Sequence, residues 1–281
     1  MNKPTTSRKK FCILIAVLCL FSVSKAQKTS LKISTEAEIK ENLQLAPCKN
    51  ADRLAAAAAL FRAMGAADAD VSIGKFKDLQ NLVVTKKGKT DETIIVGAHY
   101  DKVKDGCGAI DNWTGIVIIA NLYRTIKDLQ TDKTFLFVAF DREESGLYGS
   151  DAMAKSIPKE KRENYCAMVN LDSFGFTYPQ VLDNVSSRKL TDLAEQTAKD
   201  VKMPFAHASL EGIADADSSS FLKKDIPAVT FHGLSNDWQK FLHSSNDKIE
   251  NVNASSVFVG YQFTLRFLLK TDSSICGAFR K

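Results

Sequence analysis

No stretch of this 281-residue chain is apolar for long enough to span a bilayer; its longest apolar run, residues 11–21, reaches about half the length required. There is no internal repeat, which excludes a solenoid or propeller, and no composition shift that marks a linker between domains. Basic tracts are missing beyond the N-terminal end, so the charge pattern argues against nucleic acid. Cysteines are few and isolated, and no compact metal-binding motif occurs.

What is present begins with an export pattern. Arg8, Lys9 and Lys10 precede the apolar run, and Ser24-Lys25-Ala26 supplies small residues for cleavage, so residues 1–26 read as a secretory signal peptide. A membrane anchor is the alternative, disfavoured by length. The expected mature chain, residues 27–281, is then a single domain that is secreted or periplasmic, with no stable membrane insertion. Removing residues 1–26 takes away five positive and no negative side chains, which brings the formal charge from +5 to zero. Four cysteines remain, Cys48, Cys107, Cys166 and Cys276. An oxidising compartment permits up to two disulfides, yet the spacing does not specify their pairing. Cys107, in a glycine-rich loop, is the weakest candidate for a structural bridge.

Hydrophobic patterning predicts helices over 35–47, 51–64, 113–128, 147–156, 188–200 and 253–270. Apolar runs predict strands over 81–85, 93–100, 133–140, 166–174 and 227–231. Strands alternating with helices point to an α/β fold, a three-layer sandwich with a mostly parallel mixed central sheet.

Polar groups gather just after these strands, where such folds place ligands. His99 follows TIIVGA, Asp111 sits in GAIDNWTG, Glu143 and Glu144 follow FLFVAF, Asp172 follows AMVNL, and His243 lies in FLHSSND. Imidazole and carboxylate both suit zinc, and one carboxylate can bridge two ions. The economical reading gives His99 and Asp172 one ion, Glu144 and His243 another, and Asp111 the bridge. Adjacent side chains of an extended or turning segment point apart, which leaves Glu143 free to act as general base. Asp101 can orient the His99 imidazole through its other nitrogen. Each residue taken singly has a plainer use: the glutamates as a solvated helix start, Asp111 as a cap, Asp172 as a strand terminus, Asp101 as a surface carboxylate, the histidines as hydrogen-bonded structural groups.

With these residues in order, the sequence resembles the secreted co-catalytic zinc aminopeptidases of the bacterial leucyl-aminopeptidase type, a family with glutamate carboxypeptidase-like members and a relation to glutaminyl cyclases. The segments are GAHYD, GAIDNWTG, FVAFDREESGLYGS, VNLDSFG and FLHSSNDKIENVN, within residues 75–270. The resemblance implies a zinc exopeptidase-like fold with a twisted mixed sheet, two zinc ions and a peptide substrate with a free N-terminus. It matches His99, Asp111, Glu144, Asp172 and His243 to metal ligands, and Glu143 and Asp101 to catalytic roles. Two departures stand out: Ile110 replaces the first aspartate of the bridging loop, and Ser218 follows Asp217 where a histidine is usual.

Asp217, His232 and Trp113 are the candidate substrate contacts, although His232 equally suits a structural place at a strand end and Trp113 a packing face. The alternatives in function are a single-zinc glutaminyl cyclase using Asp111, Glu144 and His243, and a noncatalytic zinc-dependent peptide-binding protein. The sequence leaves the substrate side chain, oligomeric state and any obligate protein partner open.

Overall fold

The run TIIVGAH is buried at all seven positions, which a strand achieves only when both faces of its sheet are covered. In the computed structural model, which describes residue 1 and residues 31–280, it forms β3 near the middle of an eight-stranded sheet. The expected export segment lies, Met1 aside, outside the described residues. The chain runs α1 (Glu36–Leu43), α2 (Asn50–Ala63), β1 (Val71–Phe76), β2 (Leu79–Lys86), β3 (Thr93–His99), α3 (Thr114–Ile126) and β4 (Thr134–Phe140). It continues through α4 (Tyr148–Ser156), β5 (Tyr165–Leu171), β6 (Gln180–Leu182), α5 (Arg188–Asp200) and β7 (Ala206–Ala208). Last come α6 (Ser218–Leu222), β8 (Ala228–His232) and α7 (Ala254–Ser273).

The strand order is β1-β2-β4-β3-β5-β8-β6-β7. The central four, β4, β3, β5 and β8, are parallel, with β2 antiparallel to β4 on one side and β6 antiparallel to β8 on the other. Period-two alternation divides β3 between two cores. Ile94, Val96 and Ala98 pack with α1, α2, α3, α5 and α7, whereas Ile95 packs with Met153 and Ala154 of α4 and Phe221 of α6. The outcome is helix, sheet and helix in three layers, with the mostly parallel centre that the alternation of elements predicts.

Helix α3 is buried at all but one of its residues because it lies between the sheet and the outer helices α1, α2 and α7. Among the described residues no helix is long and apolar enough to cross a membrane. Strands β1, β6 and β7 and helix α6 are not among the predicted elements. β1 is a partly exposed edge strand and β6 and β7 have three residues each, so none carries a strong periodic signal. The predicted strand 166–174 stops at Leu171, since Ser173 adopts a left-handed backbone (φ 59°) that ends pairing.

All four cysteines after residue 26 are bridged, Cys48 to Cys107 and Cys166 to Cys276. The expectation for Cys107 is therefore corrected. Its glycine-rich loop passes directly beside the segment joining α1 to α2, a proximity that loop composition does not reveal. The bridge ties that segment to the loop carrying Asp111.

Candidate active site

Parallel strands end together, so the residues that follow β3, β4, β5 and β8 share one edge of the sheet. His99 closes β3, Glu143 and Glu144 follow β4, Asp172 follows β5 and His232 closes β8. Asp111 arrives from the loop before α3 and His243 from the loop after β8, where His243 itself takes a left-handed backbone (φ 57°).

Asp111 lies between two imidazoles. One carboxylate oxygen is 3.1 Å from Nε2 of His99, and the other is 3.2 Å from Nε2 of His243. Nε2 of His99 is also 3.7 Å from Asp172 Oδ1, and Nε2 of His243 is 3.1 Å from Glu144 Oε2. Two triads result, His99–Asp111–Asp172 and Asp111–Glu144–His243, and within each the donor atoms lie within 4.8 Å of one another. These are the nitrogen and oxygen donors that zinc takes. The donor set fits metal ions in a second respect: Glu144 Oε1 is buried and makes no hydrogen bond among the described residues, a costly state for a carboxylate oxygen without a cation or donor.

Glu143 belongs to neither triad, although its Oε2 is 4.0 Å from His99 Nε2. The divergence of the two adjacent glutamates is fixed through their backbone. Asp101 accepts the N–H of Glu143 at 2.9 Å and that of Glu144 at 3.2 Å, one on each carboxylate oxygen. His99 Nδ1 is 3.2 Å from the main-chain oxygen of Asp101 and 3.5 Å from its Oδ1. Asp101 thus faces the noncoordinating side of the imidazole and also anchors the glutamate turn.

Electrostatics follow from burial among like charges. Burial raises the Glu143 carboxyl well above the ordinary range; His99 opposes this, while Asp217, Asp172 and Asp111 add to it. Burial would depress the His99 imidazole, but Glu143, Asp101, Asp111 and Asp172 together pull it well above its usual value. Hydrogen bonds with Asp111 and Glu144 lift His243 to about 10. Asp111 resists the upward push of burial and is held low by the two histidines.

Several supporting residues are not recognised in the sequence. Asp247 accepts the backbone N–H of Ile110 at 2.6 Å and of Asp111 at 3.2 Å. The fully buried Arg53 donates to the carbonyls of Pro47 (2.8 Å), Cys107 (2.9 Å) and Gly108 (3.0 Å), as well as Tyr100. Asn112 donates to Leu171 O at 2.8 Å and accepts from Ser173 N at 3.2 Å, which joins the Asp111 loop to the Asp172 turn. Gly108 has φ 60°, and a Cβ there would come within 2.6 Å of Lys102 Cβ and 2.9 Å of Asp111 O. The spacing Asp247, four residues past His243 in an otherwise polar loop, is the one sequence signal that could have prompted attention.

A cleft of about 360 Å³ opens over the triads, its apolar wall formed by Leu182, Leu210, Leu234, Trp238 and Leu242. His232 lines it. Trp113 does not: it is fully buried, its indole N–H bonds to Asn42 O at 3.2 Å, and the Arg53 guanidinium lies 5.5 Å from its ring centroid. Asp217 is also fully buried and outside the cleft lining, its carboxyl pushed up to about 7 by burial. Both are corrected as substrate contacts. Packing under the N-terminal helices claims the first, and the start of α6 turns the second into the interior.

Comparison with known proteins bears on the fold and the family. The aminopeptidase YwaD of Bacillus subtilis is 27% identical over 187 residues, covering 62% of this chain and 40% of that protein. The chain spans about half the length of the curated relatives it matches. Among solved structures, LapA of Legionella pneumophila superimposes with a TM-score of 0.73 at 23% identity, over 87% of this chain and 75% of that one. A glutaminyl cyclase of an Acidobacteriales bacterium does so with a TM-score of 0.71 at 16% identity, over 88% and 99%. These two likenesses concern the fold. The family model for peptidase family M28 matches residues 81–262, from within β2 into α7 and across every residue of both triads, and the chain belongs to that family.

Proposed function

We propose that the protein is a zinc-dependent aminopeptidase that removes the N-terminal residue of a peptide. The observation that carries this reading is the sharing of Asp111 by two donor triads, with Glu143 beside them and in neither. His99 and Asp172 would hold one zinc, Glu144 and His243 a second, and Asp111 both. When bound, the zinc pair supplies a water of lowered pKa and stabilises charge on the carbonyl oxygen.

The chain's own residues do the rest. Glu143 takes the proton of the water whose oxygen attacks the peptide carbonyl, and it returns that proton to the amine nitrogen as the C–N bond breaks. A carboxyl held above its ordinary range by burial is a stronger proton acceptor than a solvated glutamate, which suits the first transfer. Asp101 keeps Glu143 and Glu144 divergent through their backbone. Cleft polarity favours an α-ammonium over an α-carboxylate: Asp215 lines it in addition to the proposed ligands and base, and no lysine or arginine does among the described residues. An aminopeptidase therefore fits better than a carboxypeptidase.

Peptide mass spectrometry after incubation with zinc-loaded protein tests the reading. Loss of one N-terminal residue supports it. C-terminal loss redirects it, loss of ammonia from an N-terminal glutamine makes the enzyme a glutaminyl cyclase, and binding without turnover makes it a zinc-dependent peptide-binding protein.

Export of residues 27–281 as one catalytic domain, after removal of residues 1–26, belongs to the same proposal and puts the protein outside the cytoplasm. Two disulfides support it, since such bonds persist in oxidising compartments. N-terminal sequencing of the exported protein checks the cleavage after Ala26.

A further inference from the structure

His232 is the last residue of β8, and its place beside the triads is set by sheet register. Leu171 pairs with Phe231, and the Asp172 N–H bonds to Phe231 O at 2.9 Å, so Asp172 and His232 leave neighbouring parallel strands side by side. The residue is 6% exposed yet lines the cleft. Its Nδ1 accepts the Leu234 backbone N–H at 3.3 Å. In a neutral imidazole with Nδ1 so occupied, the proton sits on Nε2. That Nε2 is buried and has no hydrogen-bond partner among the described residues. A buried donor left unmade is unfavourable, and here it belongs to a side chain on the wall where a substrate would lie.

The tautomer decides what this group can do. With its lone pair engaged by Leu234, His232 is neither a metal ligand nor a general base. An N–H donor repels an α-ammonium and selects an oxygen acceptor. We infer that His232, through Nε2–H, donates a hydrogen bond to the carbonyl oxygen of the scissile peptide bond and stabilises the charge that develops there. Burial also pushes the imidazole down to about 4, against a weaker opposing pull from Asp172, so the neutral donor persists through the range in which peptides are hydrolysed. A donor already in place, on a rigid strand end and out of bulk water, needs no reorganisation when the oxygen becomes negative.

This inference rests on the peptidase reading, and its test separates the two. In the zinc-loaded enzyme, His232→Phe lowers kcat by roughly 100-fold, the usual loss for one such donor, with KM changed by less than about threefold. His232→Gln, which can return an amide N–H near the Nε2 position, recovers part of the loss. Nitrogen-15 NMR of the wild-type protein, whose four histidines permit assignment, shows His232 as the Nε2–H tautomer, with that proton moving downfield when an α-aminophosphonate binds. A normal kcat in His232→Phe, a loss confined to KM, equal loss in both variants, or a proton found on Nδ1 overturns the assignment. If no peptide is hydrolysed, the peptidase reading falls, while the tautomer and the phosphonate response still report on His232.

Discussion

The carboxylate of Asp101 reaches across 42 residues of sequence to accept the backbone N–H of Glu143 at 2.9 Å, and its second oxygen accepts that of Glu144 at 3.2 Å. A group two residues after His99 thereby sets the angle between a proposed base and a proposed ligand. Asp101→Asn replaces one acceptor oxygen with an NH₂ that opposes a backbone donor. We expect kcat to fall about 10- to 100-fold, the range for residues that orient a metal site. Steady-state kinetics together with zinc content checks this; unchanged kcat would remove Asp101 from the mechanism.

Glu143→Gln removes the proton acceptor and leaves both triads intact. Turnover should drop by roughly 100- to 10,000-fold, while bound zinc, measured by elemental analysis, stays at the wild-type level. Near-normal hydrolysis by the folded variant would contradict the role of base.

The triads differ in membership, which makes zinc stoichiometry informative. His99→Ala should lose one ion and retain the other, His243→Ala should do likewise at the opposite triad, and Asp111→Ala should weaken both. A folded, zinc-replete wild-type protein that never holds more than one ion would leave the paired site without support and turn attention to ring closure.

Asp217 predicts a pH effect on stability. Burial raises its carboxyl to about 7 from an ordinary 3.8. As pH rises from about 4 to about 7, the unfolded chain releases this proton before the native protein does. Its contribution to stability is thus greatest below this window, declines across it and levels off above. In chelator-treated protein, Asp217→Asn removes this group's share of the decline, on the order of a few kcal/mol at most, while other raised groups such as Glu143 keep theirs. Urea unfolding at pH 5 and pH 8 should show the variant gaining on wild type at the higher pH; a constant difference would count against a buried, protonatable Asp217.

Cys107→Ser opens a loop closed over a separation of 59 residues, a change worth about 4 kcal/mol by loop entropy. Because Cys107 O is an Arg53 acceptor in the loop that leads to Asp111, zinc retention should weaken along with thermal stability. Loss of stability with unchanged zinc affinity would confine the bridge to folding.

The sequence by itself determined the layered α/β architecture, because continuous apolar runs such as TIIVGAH and the alternation of strand and helix are local signals of burial on both faces of a sheet. It also determined which chemistry was available, since His99, Asp111, Glu143, Glu144, Asp172 and His243 stand at strand ends or in the loops between elements. Only the tertiary structure decided the rest. Cysteine pairing depends on which loops meet, so Cys107 found Cys48 although spacing named no partner. Trp113 and Asp217 share local patterns with cleft residues but face the interior, since rotation and packing of α3 and α6 are fixed by distant helices and strands. Arg53, Asp247 and Asn112 act through backbone carbonyls and N–H groups far away in the chain, and backbone groups carry no sequence signature. His232 was already a candidate contact in the sequence, but its tautomer is set by the Leu234 N–H and its proposed role by a cleft assembled from several strands.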